Sequence, residues 1–200
     1  MKDTANKTPM ASAVDDCAQA IHESWQQRAG LKKNMPVTTP DLREITYGSD
    51  DYKTTLALRH RILREPLGLN LWHENLSVEI DQRHFTLWQQ TASLSASAQH
   101  ATELLACLVI VPKSPGCVKL RQMAVNDRYQ RQGFGQQLIA LVEAVLVNEG
   151  VELIELHARE SAVGFYQASG YQRVGPAFTE VGLPHQRMTK NLKPNVGNML

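Results

Sequence analysis

The feature that most constrains this chain is a predicted strand that runs through a glycine-containing turn into a helix. Residues Val118 to Val125 have strand character, and Gly133-Phe134-Gly135 follow after a polar turn. Beyond them, apolar residues recur with the i, i+3, i+4, i+7 spacing of one helical face, at Leu138, Leu141, Val142 and Val145. Gly150 stands where the residue after a helix end is expected. The pattern predicts a β-strand, a glycine turn and an amphipathic helix in direct succession.

Such a junction favours the binding of an anion. The first amides of a helix lack partners within the helix, the helix dipole is positive at that end, and glycine allows a ligand to approach closely. A glycine pair by itself is equally compatible with an ordinary strand-to-helix turn. Two nucleotide-binding motifs are excluded. The Gly-Lys-Ser/Thr ending of the Walker loop is absent, and Leu138 stands where the dinucleotide-binding fingerprint has its third glycine.

Apolar runs and turn signals alternate along most of the chain. The predicted strands are 42–47, 85–89, 104–111, 117–125, 153–158, 171–174 and 186–190. The predicted helices are 50–64, which Pro66 ends, the helix after Gly133, and 161–169, which Gly170 ends. We therefore predict an α/β fold, in which a mixed sheet of six to seven strands carries helices on both faces.

Length and segment composition predict one domain with two appendages. A chain of 200 residues can bury a sizeable single core. Residues 1–40 stand outside the pattern, and Cys17, Ile21 and Trp25 predict one short helix there that packs on the domain or on a partner subunit. We place the domain at 41–193, with a polar linker at 91–100, and a tail at 194–200. The sequence leaves the oligomeric state open, with a homodimer as one option.

Composition argues against several classes of function. The net charge of +1 gives no electrostatic footprint for a nucleic-acid partner. The 3 cysteines are unclustered, which indicates reduced thiols and neither a metal site nor a disulfide framework. The N-terminus lacks the apolar core of a secretory signal, and the longest apolar run, 104–111, is too short to span a membrane. We expect a cytoplasmic protein without a metal or a membrane partner.

Two segments, in this order, resemble the GNAT superfamily of N-acetyltransferases. Gln130-x-x-Gly133-x-Gly135 is similar to the superfamily's acetyl-coenzyme A loop, Gln/Arg-x-x-Gly-x-Gly/Ala. The downstream run AVGFYQASGY, from Ala162 to Tyr171, is similar to its Ala-x-x-Phe-Tyr-x-x-x-Gly-Phe/Tyr segment. The resemblance covers about residues 42–190. Residues 58–84, with a Pro-Leu-Gly turn and a Glu-x-Asp-x-x-His run, also resemble one subgroup, and in the superfamily this region shapes the acceptor pocket.

The resemblance implies acetyl-coenzyme A as cosubstrate and assigns residues to it. In the superfamily, the strand before the loop splays from its neighbour and pairs with the pantetheine arm, and the loop amides cradle the diphosphate. An amide at Val125 or Ala124 would polarise the acetyl carbonyl. Many relatives carry asparagine where this chain has Arg159, which puts that side-chain contact in doubt. The implied cofactor-binding residues are Met123, Ala124, Val125, Gln130, Arg131, Gln132, Gly133, Phe134, Gly135 and Gln136.

The resemblance also implies Tyr166 as the general acid that protonates the departing thiolate, although a Phe-Tyr pair is typical of core packing too. A base is needed as well, because an alkyl ammonium with a pKa near 10 must lose a proton before it attacks. His185 is a candidate for shaping the acceptor site. The candidate bases, each of which has a structural explanation too, are Glu74, Glu79, His84 and His157.

The implied function is transfer of an acetyl group to a primary amine of a small molecule, amino acid or peptide, by direct attack in a ternary complex. An alternative from another class is a non-catalytic acyl-coenzyme A sensor or interaction module, since it needs the same loop. A third interpretation is O-acyl transfer or a longer acyl donor. The sequence does not identify the acceptor.

Overall fold

The computed structural model describes residues 40–91 and 101–192. The predicted N-terminal helix, the predicted tail and the linker beyond Thr91 lie outside these residues, so the domain boundaries stay predictions. None of the helices within the described ranges is long and apolar enough to cross a membrane.

Eight strands and three α-helices form the described part of the chain. The strands are β1 (Asp41–Ile45), β2 (Arg83–Thr91), β3 (Ala101–Ser114), β4 (Cys117–Val125), β5 (Leu153–Arg159), β6 (Gln172–Arg173), β7 (Phe178–Glu180) and β8 (Leu183–Asn191). The α-helices are α1 (Asp50–Arg59), α2 (Phe134–Asn148) and α3 (Val163–Ala168). A π-helical turn, His60–Arg64, continues α1, and short 3-10 turns cover Glu65–Leu67, Leu71–His73, Leu76–Glu79, Asp127–Tyr129 and Glu160–Ala162.

The strands form one mixed sheet in the order β1-β2-β3-β4-β5-β8-β6, with β7 paired to β8. Strands β4 and β5 are parallel, and every other pairing among the described strands is antiparallel. Helix α2 is the crossover that a parallel pair requires. The parallel pair therefore lies in the middle of the sheet, directly beside the strand–glycine–helix junction.

Helices cover both faces of the sheet, as predicted. Helices α2 and α3 pack on one face over the main core, where Leu138, Leu146 and Ile154 are almost fully buried. Burial of each such side chain contributes about 1.5–3 kcal/mol. Helix α1 covers the β2–β4 part of the other face, over a smaller cluster that includes Leu58 and Trp88. On β4 and β5, alternate residues of this second face are polar, including Lys119 and Glu155.

The predicted fold class is confirmed, and the departures concern single elements. The helix predicted at 50–64 changes from α to π geometry at His60. The helix predicted at 161–169 is α-helical only from Val163 to Ala168. Strand β7 was not predicted, because Phe178–Glu180 is too short to show a periodic pattern. It forms a hairpin with β8 that projects beside the open end of β4 and β5.

Candidate functional site

Strands β4 and β5 part halfway along their length. They pair from Cys117 opposite Leu153 to Leu120 opposite Leu156, and no further pairs follow before the strands end. A bulge in β4 shifts its register against β3 between Arg121 and Ala124, and Gln122 adopts a φ of 53° there. Because a bulge bends the strand that carries it, β4 turns away from β5 at this point. The splayed strands that the resemblance implied are present.

The backbone of Val125 faces the resulting gap. Asn126 N donates to Leu105 O of β3 at 2.8 Å. Backbone groups of successive strand residues point to alternate edges, so Ala124 also faces β3 and Val125 faces away from it. Gln130 Nε2 donates to the carbonyl oxygen of Val125 at 3.2 Å, which is consistent with that direction. Of the two amides considered from sequence, the one at Val125 is directed into the gap.

The turn between β4 and α2 brings the start of α2 to the same gap. Asn126 caps the 3-10 turn, and its side chain accepts a hydrogen bond from Arg128 N. Arg131 and Gly133 both have positive φ values, 60° and 87°, and only glycine tolerates the second without strain. Gln132 Nε2 donates to Arg128 O at 3.0 Å and holds the turn closed. The side chains of Gln130, Arg131, Gln132 and Gln136 are exposed.

The N-terminus of α2 is where the sequence predicted an anion-binding site. Its first backbone hydrogen bond runs from Gln137 N to Gly133 O, so the amide of Gln136 precedes the helical ladder. Within the described part of the chain, no side chain caps this end. A helix end without a side-chain cap and with a positive dipole has the geometry that an anion-binding site requires, and the site itself stays a prediction.

Two residues of the glycine loop serve packing as well. A Cβ on Gly135 would lie 3.1 Å from Phe165 Cζ, 3.1 Å from Val125 Cγ2 and 3.2 Å from Met123 Cε. Phe134 points into the core, where its ring meets that of Tyr129 edge-on with centroids 5.9 Å apart. The side-chain space at Gly135 is therefore closed by the protein itself, so this glycine lets α2 approach β4 and α3.

Tyr166 lies on α3 with its ring in the core and borders the cleft described below. Its ring packs edge-on against Phe165 and Tyr171, with centroids 5.0 Å and 5.7 Å away. The hydroxyl has no hydrogen-bond partner among the described residues, and burial raises the pKa of Tyr166 above its usual value. The phenol is therefore neutral near pH 7 and has a proton to donate. The structure shows the core packing weighed from sequence and places Tyr166 at the edge of the cleft, while its role as general acid stays a prediction.

A cleft of about 730 Å³ opens where β4 and β5 part. The π-helical turn and the segment after it form one wall, and the hairpin of β7 and β8 forms another. The floor comes from the two strands, and α3 closes the inner end. Its lining residues include Leu63, Arg64, Glu74, Lys119, Arg121, Gln122, Met123, Gln130, His157, Arg159, Tyr166, Glu180, Val181 and His185.

Two of the four candidate bases lie outside this cleft. Glu79 is buried in an ion pair with Arg59, whose Nη1 donates to Oε2 at 2.9 Å, and Tyr52 Oη donates to the same oxygen at 2.9 Å. His84 is buried beside it, with Nε2 3.1 Å from Glu79 O. Burial lowers the pKa of His84, which keeps the ring neutral. These residues join the 3-10 turn at 76–79 to α1 and β2, and the structure gives them no access to the cleft.

Glu74 lines the cleft but is engaged with Arg64. Arg64 Nη2 donates to Glu74 Oε2 at 3.0 Å, and Arg64 Nε donates to the other oxygen. The hydrogen bonds and charge of Arg64 lower the pKa of Glu74 against the opposing effect of burial. A carboxylate held in this way is a weak base, because taking up a proton would break a bidentate ion pair.

His157 faces the cleft within a polar cluster that the sequence did not reveal. Its Nδ1 donates to Glu180 Oε2 at 2.6 Å, and its ring meets Phe178 edge-on at 4.8 Å. Lys119 Nζ lies 3.2 Å from Nδ1 and 3.4 Å from Nε2. Glu180 comes from the strand that was not predicted, so no signal in the sequence could have paired it with His157. The alternation of β4 could have placed Lys119 on this face.

Arg159, which the resemblance aligns with an asparagine position, spans the cleft. Its Nη2 donates to the carbonyl oxygen of Leu63 in the π-helical turn at 2.8 Å. Burial and the neighbouring Arg64 lower its pKa. Arg159 thus joins the end of β5 to the end of α1.

Comparisons with known proteins agree with this geometry. The family model described as "Acetyltransferase (GNAT) domain" matches residues 64–192. The uncharacterized protein YyaT of Bacillus subtilis is 33% identical over 78 residues, which cover 39% of this chain and 53% of that protein. The chain thus spans about half the length of the curated relatives it matches.

Solved structures share the fold at low sequence identity. An acyl-CoA N-acyltransferase from Pseudomonas aeruginosa has a TM-score of 0.56 at 18% identity, covering 76% of this chain and 99% of that chain. An aminoglycoside 6'-N-acetyltransferase complexed with coenzyme A has a TM-score of 0.56 at 14% identity, covering 78% of this chain and 98% of that chain. At these identities the likeness concerns the fold.

Proposed function

Because this chain belongs to the acetyltransferase (GNAT) domain family, we propose that it transfers the acetyl group of acetyl-coenzyme A to a primary amine of a small molecule or peptide. One observation carries the proposal. The gap between β4 and β5 opens into a cleft that Tyr166 borders, and an uncapped helix N-terminus and the outward-facing backbone amide of Val125 lie at the same gap. Acetyl-coenzyme A supplies an acetyl group activated as a thioester.

The backbone of the junction would hold this cosubstrate. The amides from Arg131 to Gln136 suit the diphosphate, since they stand at the positive end of α2. The amide of Val125 faces the gap and suits the pantetheine arm or the acetyl oxygen. A preorganised donor to that oxygen contributes on the order of 3 kcal/mol to stabilisation of the transition state.

Tyr166 would act on the leaving group. A thiol has a pKa of about 8.5, so a neutral phenol with a raised pKa stabilises the departing thiolate by donating a hydrogen bond. Because the pKa of the phenol is raised, its proton is transferred completely only if the apolar surroundings also destabilise the thiolate. The free hydroxyl of Tyr166 is available for this donation.

His157 is our choice of base among the four candidates. It lines the cleft, while Glu79 and His84 do not and Glu74 is held by Arg64. In the neutral ring, the contact with Glu180 keeps the proton on Nδ1, so Nε2, which has Lys119 Nζ 3.4 Å away, is the nitrogen that would accept a proton from the acceptor ammonium. The carboxylate of Glu180 would stabilise the imidazolium that results.

Release of the coenzyme A thiol in the presence of a panel of amines tests the proposal. We expect turnover with at least one amine and its loss in Gly133→Val, because valine is strained at a φ of 87°. Gly48→Val is a matched control, since Gly48 has a φ of 78° and a Cβ added there would have no neighbour within 4 Å. Binding of acetyl-coenzyme A without turnover on any amine would favour the sensor alternative.

A further inference from the structure

We propose that the acceptor amine carries an acidic group, a carboxylate or a phosphate, which Lys119 and Arg121 bind. The inference rests on the proposed function and narrows its substrate class. The charged side chains that line the cleft, and the ion pairs that some of them form, carry this inference.

The cleft has an excess of positive charge. Its lining contains four cations, Arg64, Lys119, Arg121 and Arg159, and two carboxylates, Glu74 and Glu180. Arg64 and Glu74 neutralise each other in a bidentate pair. Arg159 donates to a backbone carbonyl and has no carboxylate partner among the described residues. Arg159 is thereby tied to the wall of the cleft, and the other two cations, Lys119 and Arg121, lie on its floor.

Lys119 and Arg121 lack an ion pair within the described residues. No carboxylate oxygen there lies within 4.0 Å of either side-chain nitrogen group, and the contact that Lys119 makes is with the ring of His157. Lys119 is half-buried, and burial lowers its pKa. An ammonium held in this way is poorly solvated, so an incoming anion would gain more there than at an exposed lysine.

The two side chains are placed to act together. They are two residues apart on β4, so they project from the same face with about 7 Å between their Cα atoms. Arg121 is the last residue before the bulge, and the strands part there. A group bound by this pair would therefore lie beside the gap where the thioester is expected.

The neighbouring charges fit the amine of the same molecule. Although burial opposes it, the hydrogen bond with His157 lowers the pKa of Glu180, so this carboxylate stays ionised. An ammonium is attracted to this carboxylate, while the acidic group is attracted to Lys119 and Arg121. Such charge complementarity fixes the orientation of a ligand more than it adds affinity. It would direct the amine towards His157.

Matched pairs of acceptors test this inference. The probes are alanine and alaninamide, β-alanine and β-alaninamide, together with 2-aminoethyl phosphate and 1,3-diaminopropane. We expect kcat/KM for the acidic member of each pair to exceed that of its neutral or basic counterpart by at least about tenfold. Comparing β-alanine with 2-aminoethyl phosphate shows whether the site prefers a carboxylate or a phosphate.

The preference should depend on the two cations. In Lys119→Met/Arg121→Gln, we expect the ratio of kcat/KM for the acidic acceptor to kcat/KM for the neutral one to fall to near one. KM for acetyl-coenzyme A should be unchanged. Lys53→Met/Arg173→Gln removes two cations outside the cleft and should keep the ratio. Equal use of neutral and acidic amines by the wild type would overturn the inference and leave the proposed function intact. The inference would also be overturned if KM for acetyl-coenzyme A rose in Lys119→Met/Arg121→Gln while the preference for the acidic acceptor was unchanged. That result would mean that the two cations bind the cosubstrate.

Calorimetry separates this inference from the proposed function. The same probes are titrated into the protein saturated with coenzyme A. Tighter binding of the acidic members, lost in Lys119→Met/Arg121→Gln, would support an acidic ligand even without turnover. Absence of both turnover and selective binding would refute it.

Discussion

At the scale of single residues, polar side chains that face the cleft differ from those used inside the fold. Tyr166 lies at the boundary, since its ring packs in the core and its hydroxyl has no hydrogen-bond partner among the described residues. Glu79 and His84 look like catalytic candidates in the sequence but are used in a buried network. The difference is whether a polar atom faces the cleft, which the sequence does not encode locally.

Tyr166→Phe tests whether the hydroxyl of Tyr166 acts in catalysis without contributing to the stability of the fold. We expect kcat to fall by about 10²-fold, because a hydrogen bond to the departing thiolate is lost. KM for acetyl-coenzyme A and the melting temperature should stay unchanged, since the hydroxyl contributes no hydrogen bond to the described part of the fold. Steady-state kinetics and thermal unfolding provide the measurements. Unchanged turnover would remove Tyr166 from the mechanism.

Glu180→Gln tests whether Glu180 positions His157. We expect kcat to fall about tenfold, because a charge-assisted hydrogen bond becomes a neutral one. Glu180→Asp should restore part of the activity, and KM for acetyl-coenzyme A should not change. Glu160→Gln is the control, since this exposed carboxylate pairs with Arg173 instead. A loss confined to the acceptor KM would indicate that Glu180 binds the amine only.

At the scale of elements, the junction of β4 and α2 was predictable from the sequence, and the opposite wall was not. The periodicity of α2 and the two positions of glycine are local signals, and β4 was predicted with its observed ends. The bulge at Gln122, the π-helical turn and β7 depend on contacts between distant segments. Arg159 reaches Leu63, for example, across 96 positions of sequence. The wall of the cleft proposed for the cosubstrate was therefore largely predictable, while the wall proposed for the acceptor depends on contacts that only the structure gives.

Gly135→Ala tests the close packing of α2 on β4. The added methyl group would meet three side chains at 3.1–3.2 Å, so we expect a loss of roughly 1–3 kcal/mol in the free energy of unfolding. Gly164→Ala, in α3, has no neighbour within 4 Å and should gain about 0.5–1 kcal/mol. Urea unfolding of both variants gives the comparison. Equal effects of the two substitutions would contradict the packing role of Gly135.

At the scale of the whole molecule, one parallel strand pair in an otherwise antiparallel sheet of described strands creates the cleft. The parallel pairing stops after four residue pairs, and the strands then diverge beneath α1 and the hairpin of β7 and β8. The buried network of Arg59, Glu79 and His84 fixes the segment between α1 and β2, which forms one wall. The stability of the protein therefore depends on the protonation of Glu79 and His84, whose pKa values are both lowered.

The free energy of unfolding should decrease in two steps as the pH falls. Burial lowers the pKa of His84, so below about pH 6.5 the unfolded chain binds a proton that the folded protein does not. Although burial opposes it, the hydrogen bonds and charge of Arg59 lower the pKa of Glu79, so a second loss begins below about pH 4.5. Each group contributes a slope of at most about 1.4 kcal/mol per pH unit. Urea unfolding between about pH 3 and pH 8 measures both steps. His84→Gln should remove the upper step, and an equal slope in that variant would show that other histidines cause it.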